Sequence, residues 1–507
     1  MEGHPAKRSK PNPTPLHVAR MDSEQLALKP HQYGPALAVA RYFGSSTERQ
    51  KTMKAGVLVN YEVGTGKTFA ALHAARTFVD SQDGCVYIIT TRANTESTWA
   101  RDWAVYKRAL NKTPGTSAPY TRSIKWGTKH EVCGLSLVSP YMLIVDEAHL
   151  LRNLESKSAP QIQRLTKDAS YVMLLTATPI VRTVSNLNAL FSYMAGHGKS
   201  VKLVGPRQTP SAVEIGKSFH RMVLYHPQDR SCYPTVTSSV VNVPLGDHYE
   251  VFVRDDALKL KRVRDELKSR RIKGERWNTT IARACAFEPE EIVPNPFHVN
   301  SRRACNSQKY QQIWNTIVGN GETRIVVFSN FRDEGVDGFM DWLLKTQRFH
   351  RTGKRDYAYV VRKDGGGPKF EVVLWSNDHF EAITKWQHKR DDIVKILLLS
   401  PMAREGLSLK RVRELHLMEP SWNISDESQA IGRAVRMTSH VDMPLSQRTI
   451  HVRRWIATYT GGETADERVA ELAELSASMC RPYSQRLQFV GKNFLCDLHT
   501  LHQEVSV

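Results

Sequence analysis

No run of about eighteen apolar residues occurs anywhere in the 507-residue chain, so no segment offers the unbroken hydrocarbon length of a membrane-spanning helix. The opening residues, Met1-Glu-Gly-His-Pro-Ala-Lys-Arg-Ser-Lys-Pro-Asn-Pro13, lack the apolar stretch of a secretory signal. Cysteine is sparse: seven residues, at 85, 133, 232, 285, 305, 480 and 496, with no CxxC pair among them. That argues against a zinc module or a disulfide framework and predicts reduced, intracellular thiols. Neither a long-period repeat nor a base-reading module is present, so any nucleic acid is expected to be held by its phosphates. Acid is also in short supply. Seventy-one Lys and Arg face 51 Asp and Glu, a formal charge of +20, which suits a polyanionic partner because each neutralised phosphate releases counterions. A solvated basic surface is the alternative.

What is present alternates. Apolar runs Gly56-Val-Leu-Val59, Cys85-Val-Tyr-Ile-Ile89, Met142-Leu-Ile-Val145 and Tyr171-Val-Met-Leu-Leu175 are separated by helical stretches. After residue 310 come Arg324-Ile-Val-Val-Phe328, Val372-Val-Leu-Trp375, Ile396-Leu-Leu-Leu399 and Glu414-Leu-His-Leu-Met418. Buried strands alternating with helices predict α/β lobes with parallel sheets, two of them, with ligands at the carboxyl ends of the strands. Residues 1–22 read as a disordered basic tail, in which Lys7-Arg8-Ser9-Lys10 is either a nuclear address or simply solvated. A charged stretch, residues 246–310, reads as a basic helical insertion; it carries Lys259, Lys261, Arg262, Arg264, Lys268, Arg270 and Arg271. Arg270 and Arg271 are candidate nucleic-acid contacts there, against the alternative of a solvated face.

The stretch Asn60-Tyr-Glu-Val-Gly-Thr-Gly-Lys-Thr68 follows the first strand and precedes an alanine-rich helix. Glycines let backbone N–H groups turn inward at a helix N-terminus, where the dipole favours anions. Gly64, Thr65 and Gly66 form the turn, Lys67 would reach the outer phosphates of ATP, and Thr68 would offer its hydroxyl to Mg2+. A full glycine-rich pattern has glycine where Tyr61 stands, which leaves a chance turn open. A second strand ends in Asp146 and Glu147. Asp146 suits the Mg2+ shell and Glu147 a general base for the attacking water; an acidic strand-end cap is the alternative.

Val145-Asp-Glu-Ala-His149 together with Leu174-Leu-Thr-Ala-Thr-Pro179 resembles helicase superfamily two, a DEAH-box-like pairing. In that superfamily the first loop position need not be glycine, so Tyr61 fits. The resemblance implies two RecA-like lobes with an interlobe ATP cleft. It also assigns Gln32, in Leu28-Lys-Pro-His-Gln32, to the adenine edge and Thr91 to a strand backbone. Arg324–Phe331 resembles motif IV and Arg404-Glu-Gly-Leu-Ser-Leu409 motif V, with Ser408 where many relatives have glycine. Gln429-Ala-Ile-Gly-Arg-Ala-Val-Arg436 resembles motif VI, whose Arg433 and Arg436 would reach the triphosphate as arginine fingers. Thr176, Thr178 and His149 would couple hydrolysis to the nucleic-acid side, or else cap and pack.

Asp146–Asn153 and Gln429–Arg433 resemble the Swi/Snf-like branch. Glu405–Asn423, Phe494–His499 and the lobe-bridging Tyr233–Pro244 are similar to helicases of large DNA viruses, such as poxvirus nucleoside triphosphate phosphohydrolase I and the early transcription factor small subunit. That layout is an ATP-binding lobe over 23–240, the insertion or linker over 241–310, a helicase C-terminal lobe over 311–460 and a C-terminal helical extension over 461–507. The implied activity is a DNA-dependent ATPase or translocase in viral transcription or genome handling, duplex favoured and RNA open. The competing reading is a subunit of a transcription complex, partnered with RNA polymerase, that uses ATP as a switch. A viral source would place it in virion and host cytoplasm; a nucleus stays open. No nuclease constellation supports a restriction-type motor.

Overall fold

The computed structural model describes residues 28–45, 55–111, 123–157, 159–181, 183–194, 203, 210–228, 233–246, 249, 299–347, 349–351, 357–360, 369–374, 386, 393–401, 409–436 and 439–504. The expected 1–22 tail, most of the basic insertion with Arg270 and Arg271, and Arg404–Ser408 of the motif V stretch lie outside the described residues. The chain forms two α/β units: residues 1–229 with 478–507, and residues 230–477. Each is built around a mainly parallel sheet.

Among the described residues the first unit holds six parallel strands in the order β3-β2-β4-β5-β1-β6. These are β1 (Gly56–Tyr61), β2 (Cys85–Thr90), β3 (Ile124–Thr128), β4 (Tyr141–Val145), β5 (Tyr171–Leu175) and β6 (Val223–His226). Every residue of β1, β4 and β5 is buried, as expected where helices cover both faces of a parallel sheet. On one face the helix Lys67–Gln82 packs against the helix Pro30–Gly44 through small side chains. Ala70, Ala71, Ala74 and Ala75 meet a partner that buries Ala36, Ala38 and Ala40. Phe494, Leu495 and Leu498 of the long C-terminal helix (Ala465–Glu504) join the same core.

Among the described residues the second unit has eight strands in the order β7-β14-β13-β8-β12-β11-β10-β9. Five of them form its centre: β8 (Arg324–Phe328), β11 (Lys369–Leu374), β12 (Ile393–Leu399), β13 (Glu414–Leu417) and β14 (Thr449–Thr458). At one edge β9 (His350–Arg351) and β10 (Tyr357–Val360) run antiparallel. At the other, β7 (Thr235–Pro244) pairs in parallel with β14 over its whole length. Residues expected to bridge the lobes are thus an edge strand of the second sheet, with mostly exposed side chains. The helices Tyr310–Asn320 and Gly338–Thr346 cover one face and Ile424–Ala434 contributes to the other.

Candidate functional site

In the first unit the carboxyl ends of β1, β4 and β5 lie side by side, so the chemistry-bearing segments that follow them share one edge. After β1 the chain turns through Gly64 and Gly66, with φ of 81° and 84°, left-handed values natural to glycine. Gly66 caps the helix Lys67–Gln82. The ammonium of Lys67 donates to the carbonyls of Tyr61 at 2.9 Å and Glu62 at 3.3 Å. Thr65 closes the turn, its Oγ1 donating to the Glu62 carbonyl at 2.7 Å.

Gln32 touches this loop. Its Nε2 donates to the carbonyls of Gly66 at 3.3 Å and Thr65 at 3.5 Å, and its Oε1 accepts from Lys29 N at 2.9 Å. A Cβ at position 66 would collide with that amide. His31 Nε2 lies 2.9 Å from the Thr65 carbonyl, and its ring stacks on His226 with centroids 3.6 Å apart. Burial lowers the His31 pKa, and because the Thr65 carbonyl can only accept, Nε2 carries the proton in that contact.

Asp146 ends β4 in a ring of donors. Its Oδ2 accepts from Trp99 Nε1 at 2.9 Å, Thr90 Oγ1 at 3.0 Å and Asn94 Nδ2 at 3.3 Å, while Oδ1 accepts from Glu147 N at 3.0 Å. Burial and the neighbouring Glu147 push the Asp146 carboxyl up; the bonds from Trp99 and Thr90, and the charge of Lys67, work against them. Glu147 adopts a left-handed backbone, φ 48°, and its Oε2 lies 3.3 Å from His149 Nδ1. The same nitrogen is 3.1 Å from Thr176 Oγ1, which accepts from Thr178 N at 3.1 Å. Glu147, His149, Thr176 and Thr178 thus form one contiguous polar chain across the ends of β4 and β5.

This donor set fits a nucleotide with a divalent cation. The loop lies at a helix N-terminus beside the ammonium of Lys67, a setting suited to an anion, and Thr68 with Asp146 Oδ1 could supply hard oxygen ligands of the kind Mg2+ takes. Two family profiles match the chain: the SNF2-related domain over residues 45–197 and the helicase conserved C-terminal domain over 308–438. The chain belongs to the Swi/Snf-like branch of helicase superfamily two.

This Swi/Snf-like ATPase is similar to a protein of Acanthamoeba polyphaga mimivirus that bears the name of an ATP-dependent RNA helicase. The two are 24% identical over 461 residues, 85% of this chain and 92% of that one. An African swine fever virus protein named as a homologue of the NPH-I termination factor is 38% identical over 66 residues, 13% of this chain and 9% of its own. Nucleoside triphosphatase I of Melanoplus sanguinipes entomopoxvirus is 26% identical over 94 residues, 18% of this chain and 14% of that protein. Among solved structures, the Hef helicase domain of Pyrococcus furiosus aligns with 83% of this chain and 95% of its own, at 14% identity and a TM-score of 0.45.

Three candidates remain, Thr91, Arg433 and Arg436. Thr91 caps the short helix Arg92–Asn94, accepting from Asn94 N at 3.4 Å. Arg433 and Arg436 belong to the second unit, in and just after the helix Ile424–Ala434. Arg436 Nε donates to the Gly432 carbonyl at 3.0 Å, and its N–H to Ser439 Oγ at 3.2 Å. Sequence reasoning did not single out Thr90, Asn94 or the indole of Trp99 as holders of Asp146. Their residue types are ordinary, and only the fold brings them to one oxygen. Among the described residues no helix is long and apolar enough to cross a membrane.

Proposed function

We propose that the chain is an ATP-driven motor on DNA, duplex favoured, that couples hydrolysis to movement along the phosphate backbone in viral transcription. The observation that carries this reading is the placement of the glycine turn with Lys67 after β1 and of Asp146 and Glu147 after β4, at the same carboxyl edge of one parallel sheet. In this reading Gly64, Thr65 and Gly66 wrap the phosphates, Lys67 leaves the Tyr61 and Glu62 carbonyls for the outer phosphates, and Gln32 reads the adenine edge. Mg2+, when held by Thr68 and Asp146, neutralises charge on the phosphate oxygens. Glu147 accepts a proton from the attacking water, and Arg433 and Arg436 supply positive charge to the transferred phosphoryl group. His149 and Thr176 pass the state of that site to the segment after β5.

The net charge of +20 supports a polyanionic track. The name of the African swine fever virus relative supports a place in transcription termination, and the mimivirus relative's name favours RNA as the second reading. The deciding experiment measures the ATPase rate with duplex DNA, single-stranded DNA and RNA as separate stimulants, followed by triplex displacement. Stimulation by RNA alone would replace DNA in this proposal. Absence of displacement with full ATPase would favour an ATP switch in a transcription complex.

A further inference from the structure

Glu62, the residue after β1, is fastened away from the phosphate loop. Its Oε1 accepts from Tyr225 Oη at 2.7 Å and its Oε2 from Gln228 N at 3.0 Å. Its own N–H donates to the His226 carbonyl at 3.1 Å, and Gln228 Nε2 donates back to the Val63 carbonyl at 3.3 Å. Four hydrogen bonds thus tie Glu62 and Val63 to the end of β6. The Glu62 carbonyl meanwhile accepts from Lys67 Nζ and Thr65 Oγ1. One residue faces both ways, with its side chain on β6 and its backbone on the groups assigned to phosphate.

Tyr225 is held from its other side by the C-terminal helix. Lys492 Nζ lies 5.7 Å from the centre of its ring. Gly491 approaches so closely that a Cβ there would meet the Tyr225 Cβ at 2.7 Å and its backbone N at 2.8 Å. The helix segment is no loose appendage, since Leu487, Phe494, Leu495 and Leu498 are buried in the cores of the first unit. The C-terminal helix therefore presses on a tyrosine whose hydroxyl holds the first residue of the loop.

We propose that Gly491 and Lys492, Tyr225 and Glu62 form a positioning relay that makes the C-terminal helix part of the nucleotide site. The relay rests on the reading of residues 64–68 as the phosphate site. None of its members touches the reacting atoms. The helix fixes Tyr225, Tyr225 fixes the Glu62 carboxylate, and Glu62 fixes the carbonyl on which Thr65 closes the loop, the turn that stays in place when Lys67 moves to phosphate. Hydrogen bonds to a carboxylate are among the stronger ones in proteins, so loss of the Tyr225 hydroxyl releases the loop without emptying the core.

The test uses the full chain. Tyr225→Phe keeps the ring and its packing against the helix, and should raise KM for ATP about tenfold while kcat stays within about twofold, the pattern of weakened binding with intact chemistry. The rise in unfolding temperature produced by ADP should shrink, while the unfolding temperature without nucleotide stays close to wild type. Gly491→Ala, acting from the helix, should reproduce the KM effect. Lys67→Ala runs alongside. If Lys67→Ala binds ADP normally, the phosphate-site reading itself fails. If Lys67→Ala loses ADP while Tyr225→Phe binds it as wild type does, the relay is wrong. Should Gly491→Ala not fold, the Tyr225→Phe comparison decides alone.

Discussion

The indole N–H of Trp99 donates to Oδ2 of Asp146 at 2.9 Å. This bond joins the helical segment after β2 to the end of β4, and with Thr90 and Asn94 it fills one carboxylate oxygen. The carboxylate is thereby fixed in rotation, and in the proposed function Oδ1, which accepts from Glu147 N, is the oxygen offered to a cation. Trp99→Phe keeps most of the buried ring but removes the donor, costing about 2 kcal/mol for a bond to a charged group. The Mg2+ concentration for half-maximal ATPase should rise severalfold. A Mg2+ titration beside a nucleotide-free denaturation curve checks this; an unchanged Mg2+ requirement would mean that the indole only packs.

Glu147→Gln should preserve ATP binding and abolish turnover, because the loop and Asp146 stay intact while the proton acceptor is gone. Lys67→Ala should weaken binding and turnover together. Nucleotide binding by fluorescence and steady-state hydrolysis separate the two. Wild-type-like hydrolysis by Glu147→Gln would remove that residue from the chemistry.

His149 Nδ1 stands between Glu147 Oε2 and Thr176 Oγ1, at 3.3 and 3.1 Å. His149→Ala cuts that chain, and the ratio of nucleic-acid-stimulated to unstimulated ATPase should fall about tenfold if the chain carries coupling. Equal losses in both rates would reduce His149 to support for Glu147.

Tyr61 occupies the place of a loop glycine, and the structure gives the reason. Pro35, inside the helix Pro30–Gly44, has no N–H for the carbonyl four residues earlier. That carbonyl, of His31, instead accepts from Tyr61 Oη at 2.5 Å. Restoring the commoner pattern with Tyr61→Gly should therefore destabilise the protein by about 4 kcal/mol, as large buried aromatics do when truncated. Chemical denaturation would show it; a loss below about 1 kcal/mol would contradict this account.

Arg270 and Arg271, outside the described residues, remain candidates for binding phosphate. Changing both to Glu should weaken binding to all duplex sequences alike and reduce the salt slope, by about 0.9 for each phosphate that is no longer neutralised. Anisotropy across a salt series measures it. An unchanged slope would assign the +20 charge to other surfaces.

The sequence by itself determined the strands that end in chemistry. Apolar runs at residues 56–59, 85–89, 142–145 and 171–175 are β1, β2, β4 and β5, and the glycine turn and acidic pair follow them within a few residues. Such features are legible because strand burial and loop shape depend on neighbours in the chain. β6 was too short to stand out, and β7, Thr- and Ser-rich with mostly exposed side chains, turns toward burial only at alternate positions of its second half, Ser239, Val241 and Val243. Tertiary structure decided the rest. Tyr61 reaches His31 across 30 residues, Trp99 reaches Asp146 across 47, and Tyr225 reaches Glu62 across 163. Those bonds depend on which strands become neighbours and where the C-terminal helix returns, and no local spacing encodes the path of the whole chain.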